Sequence, residues 1–148
     1  MRRRLTLLLG VALLGAAGCG GSGSGGFADR ANAACKQSNA LIRRLPPPSS
    51  DLAGVGQYAG ELIPIAGRLV SKVSALSPPS GAQRDYAQHL GILRAELTGL
   101  AQLRAAALHG DVRTVVTVAS TIRARGGGAI AKRLGLTSCA TAATPHGA

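Results

Sequence analysis

Aromatic residues are nearly missing from this chain. Phe27, Tyr58 and Tyr86 make up 2% of its 148 residues, and tryptophan is absent. A core built here has to come from Leu, Val, Ile and Ala, and Ala and Leu favour helix over strand. Acidic residues are scarce as well: the glutamates are Glu61 and Glu96 alone, and neither has a histidine three residues later. A carboxylate di-iron bundle needs more glutamates than that, some of them in Glu-x-x-His pairs, so that chemistry is excluded. The single methionine is the initiator and no Cys-x-x-Cys-His occurs, which leaves haem without its common attachments. No Cys-x-x-Cys or Cys/His cluster has zinc spacing. No Gly-x-Ser-x-Gly marks a nucleophile elbow. The glycine run Gly126–Gly128 lacks the Lys-Ser/Thr of a phosphate loop. A chain this poor in catalytic material is expected to be no enzyme and to hold no metal or cofactor.

A membrane-spanning run is also missing. The apolar stretch Leu5–Ala17 is 13 residues long, and at about 1.5 Å per residue it falls short of a hydrocarbon core of about 30 Å. Arg2, Arg3 and Arg4 precede it and small residues end it, the pattern of a secretory signal peptide. The stretch LLGAAGCGGSGSGG, residues 13–26, then sets one cysteine between apolar and Gly/Ser-rich sequence. Ala16-Ala17-Gly18-Cys19 resembles the lipobox of bacterial lipoproteins, although Ala16 stands where the family usually has Leu. The resemblance covers about the first 20 residues. It implies cleavage before Cys19 and attachment of diacylglycerol to its thiol. Gly20–Gly26 behaves as a flexible coil and suits a tether between lipid and domain. More than one acyl chain gives durable anchoring, at roughly 0.8 kcal/mol per buried CH₂. The chain also resembles small actinobacterial envelope lipoproteins with one early and one late cysteine, a resemblance that supplies no activity. The expected organisation is a signal peptide over 1–18, a lipidated cysteine and tether over 19–26, one domain over 27–139 and a polar tail over 140–148. The expected location is extracytoplasmic, on the cell membrane.

The chain carries +11; loss of the three leader arginines leaves +8. Such a surface attracts anionic lipid or cell-wall polymers. Nucleic acid is not expected, because the arginines are spread along the chain and stacking aromatics are missing.

Apolar residues recur at helical spacing in four segments. The first runs from Phe27 to Leu45, with Ala31, Ala34, Cys35, Ser38, Leu41 and Ile42 on one face, and Pro46-Pro47-Pro48 ends it. Ser50 or Asp51 caps the second. Its seam of Leu52, Val55, Ala59, Leu62, Ala66, Leu69, Val73 and Leu76 is unbroken, and Pro64 predicts a kink near Gly60. Ser77–Gly81 breaks the chain again. The third helix follows from about Ala82 to Leu108, with Tyr86, Leu90, Leu93, Leu97, Leu100 and Ala107 on its seam. Gly110 and Asp111 form a corner as helix end and N-cap. The fourth helix starts at Val112 and, because Ile130 and Leu134 keep its spacing, is expected to run through Gly126–Gly128 with a soft middle. Gly135-Leu136 reads as its end.

These segments predict an all-α, up-down-up-down four-helix bundle, since short connections make neighbours antiparallel. That topology sets the end of the fourth helix beside the start of the first. With Cys19 acylated, Cys35 and Cys139 are the pair left to form a disulfide outside the cytoplasm. His89 and Asp85, four apart on the third helix, are expected to hydrogen bond to each other; a metal-dependent enzyme using this pair is the remotest functional expectation. The first is a tethered bundle that binds a protein partner or supports the envelope without catalysis. The second is a carrier of a small apolar ligand, its pocket between helices near Pro64 and the glycine run. Cys19→Ser is expected to move the protein from membranes to the soluble exported fraction. Membrane fractionation with intact-mass analysis checks this, and an unmodified Cys19 in the wild type contradicts it.

Overall fold

The computed structural model describes residues 26–141; the leader, Cys19, most of the tether and residues 142–148 lie outside them. Five helices follow in order: α1 (Phe27–Arg44), α2 (Leu52–Ser74), α3 (Gln83–Leu108), α4 (Val112–Ala124) and α5 (Gly128–Arg133). The architecture is an all-helical bundle in which α1 packs on α2, α2 on α3, and α3 on both α4 and α5. Among the described residues, no helix is long and apolar enough to cross a membrane.

The helix ends follow local chemistry. The backbone leaves the helix at Leu45, immediately before the three prolines. Asp51 caps α2 by accepting from the Gly54 N–H at 2.7 Å, and Ser49 donates to the same carboxylate. Asp111 caps α4 through Thr114. Helix α2 continues through Pro64, which is exposed. At the end of α5, Gly135 takes φ +73°. The Leu136 N–H then reaches the Ala131 carbonyl at 2.8 Å and the Gly135 N–H that of Lys132 at 3.0 Å, the paired bonds of a glycine-terminated helix with its apolar follower buried.

The expected continuous fourth helix is corrected here. Helix α4 stops at Ala124 and α5 begins at Gly128. Gly126 has φ +42°, a left-handed conformation that an α-helix does not contain. The break turns the last apolar residues away from the axis of α4 and brings Ile130, Ala131, Leu134 and Leu136 onto Ala31 of α1. A side chain at Gly128 would come within 3.1 Å of the Ala140 carbonyl oxygen, so the returning chain runs against bare backbone.

This return closes the bundle. The Asn32 amide donates to the Gly135 carbonyl at 2.9 Å and accepts from the Ser138 N–H at 2.9 Å; the Asn39 amide donates to the Ser138 carbonyl at 3.0 Å. Cys35 and Cys139 form the expected disulfide, with Cα atoms 5.2 Å apart.

Two clusters of buried apolar residues lie toward the two ends, and Ala34, Cys35, Ala59, Ile65, Val73 and Leu90 are buried besides. One cluster gathers Ala31, Ile130, Ala131, Leu134 and Leu136, with Phe27 and Tyr86 against it. These two aromatic rings meet edge to face at 5.5 Å, and the Tyr86 hydroxyl donates to the Val73 carbonyl at 2.8 Å. The other cluster, at the α3–α4 corner, gathers Ala106, Ala107 and Val115, with Leu52, Val55 and Leu103. Between them, Leu62, Leu69, Leu93 and Leu100 on the predicted seams are only half-buried. Leu93, expected in the core, is therefore a wall residue, and Leu90 is the buried one.

Two losses are expected to be large. Replacing both Cys35 and Cys139 by Ala removes a link across 104 residues and should cost about 2–5 kcal/mol. Leu136→Ala, at a side chain 0% exposed, should cost about 2–5 kcal/mol. Chemical denaturation checks both, and unchanged midpoints would contradict this account of the closure.

Candidate functional site: an inter-helix cavity

A cavity of about 460 Å³, partly open to solvent, lies between the helices at the level of the half-buried Leu62, Leu69, Leu93 and Leu100, within the roughly 300–1,000 Å³ range of small-molecule sites. Helix α1 contributes Cys35, Ser38, Asn39 and Ile42. Helix α2 contributes Leu62, Ile65, Ala66, Leu69 and Val70, the residues on either side of Pro64. Helix α3 contributes His89, Ile92, Leu93, Glu96 and Leu100; Ile122, Arg123, Gly126–Gly128 and Cys139–Thr141 complete the wall.

Isoleucine and leucine side chains of α1, α2, α3 and α4 make up most of this wall, and no aromatic ring is among them. Close packing survives where small residues permit it. A methyl group at Gly99 would stand 2.9 Å from Ile122 Cγ1, so this glycine seats α4 against α3. Arg125 donates from Nη1 to the Ala95 carbonyl at 2.8 Å and pins the end of α4 to α3.

Two ionisable groups of α3 reach the wall. His89 is 2% exposed, and neither ring nitrogen finds a hydrogen-bond partner among the described residues. Burial holds its imidazole below the ordinary value of 6.5, so it is neutral. Glu96 is half-buried; burial pushes its carboxyl up, opposed by the Arg125 guanidinium. The expected Asp85–His89 hydrogen bond is not formed. Asp85 instead binds Arg133, at 2.8 Å to Nε and 3.2 Å to Nη2, and this pair holds its carboxyl below the usual range. The competitor lies 48 residues away in sequence, so nothing local to α3 points to it. The acid–histidine pair of the metal-enzyme expectation is not assembled, and among the described residues no group of three or more His, Cys, Asp or Glu converges on a point.

A smaller cavity of about 220 Å³ lies over Pro46–Pro48, bounded by Tyr58 and Glu61. No known protein family, curated protein or solved structure matches the chain.

A buried neutral histidine without partners is costly, because each unmet polar atom forfeits roughly 1–3 kcal/mol. It also sets a sign. The folded-state value lies below 6.5, so the unfolded chain binds more protons as pH falls through 6.5, and stability is lost in that direction. Glu96, raised above its ordinary 4.5, acts in the opposite sense. His89→Leu is therefore expected to raise the melting temperature at pH 7, and its advantage over wild type should widen toward pH 5. Thermal scans across that range check it; an advantage that shrinks toward pH 5 would mean that His89 is hydrogen bonded in solution.

Proposed function

We propose that this protein is a lipid-anchored, extracytoplasmic carrier whose helical domain holds a small apolar molecule between α1, α2 and α3. The observation that carries the reading is the cavity at mid-bundle. A solid core there would have favoured a purely structural or protein-binding module. The anchor rests on the Arg2–Arg4 leader and the lipobox-like Ala16–Cys19. In that arrangement the Gly/Ser tether lets the domain stand off the membrane while remaining close to a source of apolar ligands. The basic surface, +8 after leader removal, adds attraction to anionic headgroups or cell-wall polymers. The reading includes no catalysis, since the one acid at helical spacing before His89 is held by Arg133.

One observation favours a protein partner in addition. Leu108, Val112 and Val116, at the α3–α4 corner, are 63%, 57% and 61% exposed. They sit at the end of the bundle opposite the start of α1, and so away from the tether.

The carrier reading predicts saturable binding of the neutral apolar dye N-phenyl-1-naphthylamine, with a rise in fluorescence. Ala66→Phe, which fills the cavity from α2, should weaken binding by about tenfold or more with helicity retained. Absence of dye binding to the wild type, or equal binding by a folded Ala66→Phe variant, would reject it.

A further inference from the structure

We infer that the cavity takes an alkyl chain of the protein's own anchor, carried on Cys19, whenever that chain is out of the membrane; the inference rests on the lipid-anchored carrier reading and names an occupant of its site. The cavity is elongated along the helices. Its wall runs from Cys35 to Ile42 on α1, from Leu62 to Val70 on α2 and from His89 to Leu100 on α3. At 1.5 Å per residue these stretches are about 10–16 Å long. Ile42, Leu62, Leu69, Ile92, Leu93 and Leu100 present apolar side chains along that length. Such a trough suits a linear hydrocarbon, which leaves water readily and asks for no hydrogen-bond partner in the wall.

The helix pairing leaves a way in from the side. Helix α1 packs on α2, and α4 on α3, but α1 and α4 form no extensive pair with each other. Both stand in the wall, α1 with Ser38 and Ile42 and α4 with Ile122 and Arg123. The cavity is partly open, and the flank between α1 and α4 lets a tethered chain be laid in without threading through an end of the bundle.

Reach selects the occupant. Seven residues, Gly20–Gly26, separate Cys19 from Phe27. At no more than about 3.6 Å per residue they span up to about 25 Å. Along α1, Cys35 lies about 12 Å from Phe27 and Ile42 about 22 Å. The Cys19 sulfur thus reaches every level of the cavity, before the length of the acyl chain is added. A group on so short a linker meets its site at an effective concentration of about millimolar, and it outcompetes a dilute free ligand. Inside a bilayer the same chain is already among hydrocarbon and gains nothing by moving. An inserted anchor therefore leaves the cavity free for other apolar molecules, and a withdrawn one fills it.

The test uses the mature chain expected from leader removal, residues 19–148, with the disulfide intact. Cys19 is then its one free thiol. One sample is alkylated with N-dodecylmaleimide and a control with N-ethylmaleimide, and sedimentation velocity gives the oligomeric state. The dodecyl adduct is expected to be monomeric and to bind N-phenyl-1-naphthylamine about tenfold or more weakly than the ethyl adduct. The dodecyl adduct of Ala66→Phe, whose cavity is filled, should instead self-associate through the chain it cannot shelter. If that variant fails to fold, isoleucine methyl spectra of the two wild-type adducts serve in its place: Ile42, Ile65, Ile92 and Ile122 should differ between them, and identical spectra overturn the inference. Equal dye affinity of the two adducts overturns it and leaves the carrier reading intact. Self-association of the wild-type dodecyl adduct overturns it in favour of chain exchange between copies. A folded, monomeric Ala66→Phe dodecyl adduct overturns it as well, since the chain is then sheltered elsewhere. Failure of the ethyl adduct to bind the dye overturns the carrier reading and the inference together.

Discussion

Attachment of the returning C-terminal turn to α1 is the constraint on which the rest of the bundle depends. The extensive helix pairs are those of α2 with α1 and of α3 with α2, α4 and α5. The other side of α1 is closed by short-range chemistry: two asparagine side chains, one disulfide and the burial of Leu136 against Ala31. These contacts fasten one end of the bundle without filling its middle. A covalent link across a long loop restricts the unfolded chain chiefly through entropy. It can therefore hold a fold together without demanding dense packing beside it. The cavity and the disulfide are two sides of one arrangement, and Cys35 and Cys139 both stand in the cavity wall.

The charges show how little acid is left for function. Asp29 lies in the first turn of α1, and Asp51 and Asp111 cap α2 and α4. Asp85 lies in the first turn of α3 and binds Arg133. All four aspartates thus sit at helix starts, where the exposed N–H groups favour negative charge. The two glutamates are the ones that line cavities, Glu61 the smaller and Glu96 the larger. In a chain so basic, a carboxyl kept in an apolar chamber is a departure from the pattern set by the other acids.

What could be read in the sequence was local. Pro46–Pro48, Asp51, Asp111 and the Gly135-Leu136 pair announce helix ends because each acts within a few residues of itself. Their order fixes the antiparallel topology, and from that topology Cys35 and Cys139 could be paired. A pocket near Pro64 could be offered only as one alternative: Leu62, Leu69, Leu93 and Leu100 have the same spacing whether they meet one another or line a space. The break after α4 depends on the sign of φ at Gly126, and a helix tolerates glycine at a cost of only about 1 kcal/mol relative to alanine. His89 was assigned a partner four residues away. The structure gives that partner to Arg133, and this leaves both imidazole nitrogens without a partner among the described residues. The signal of His89 was present in a weak form, as a lone histidine at the edge of an apolar seam.

The central claim, that the partly open cavity between the helices takes an apolar ligand, is tested most directly by isoleucine methyl NMR. Ile42, Ile65, Ile92 and Ile122 line the cavity, and Ile63 and Ile130 do not. On titration with 1-dodecanol, the account predicts that the four cavity methyls shift together and saturate, while Ile63 and Ile130 stay in place. Shifts confined to Ile63 and Ile130, or an isoleucine spectrum that does not respond at all, would contradict it.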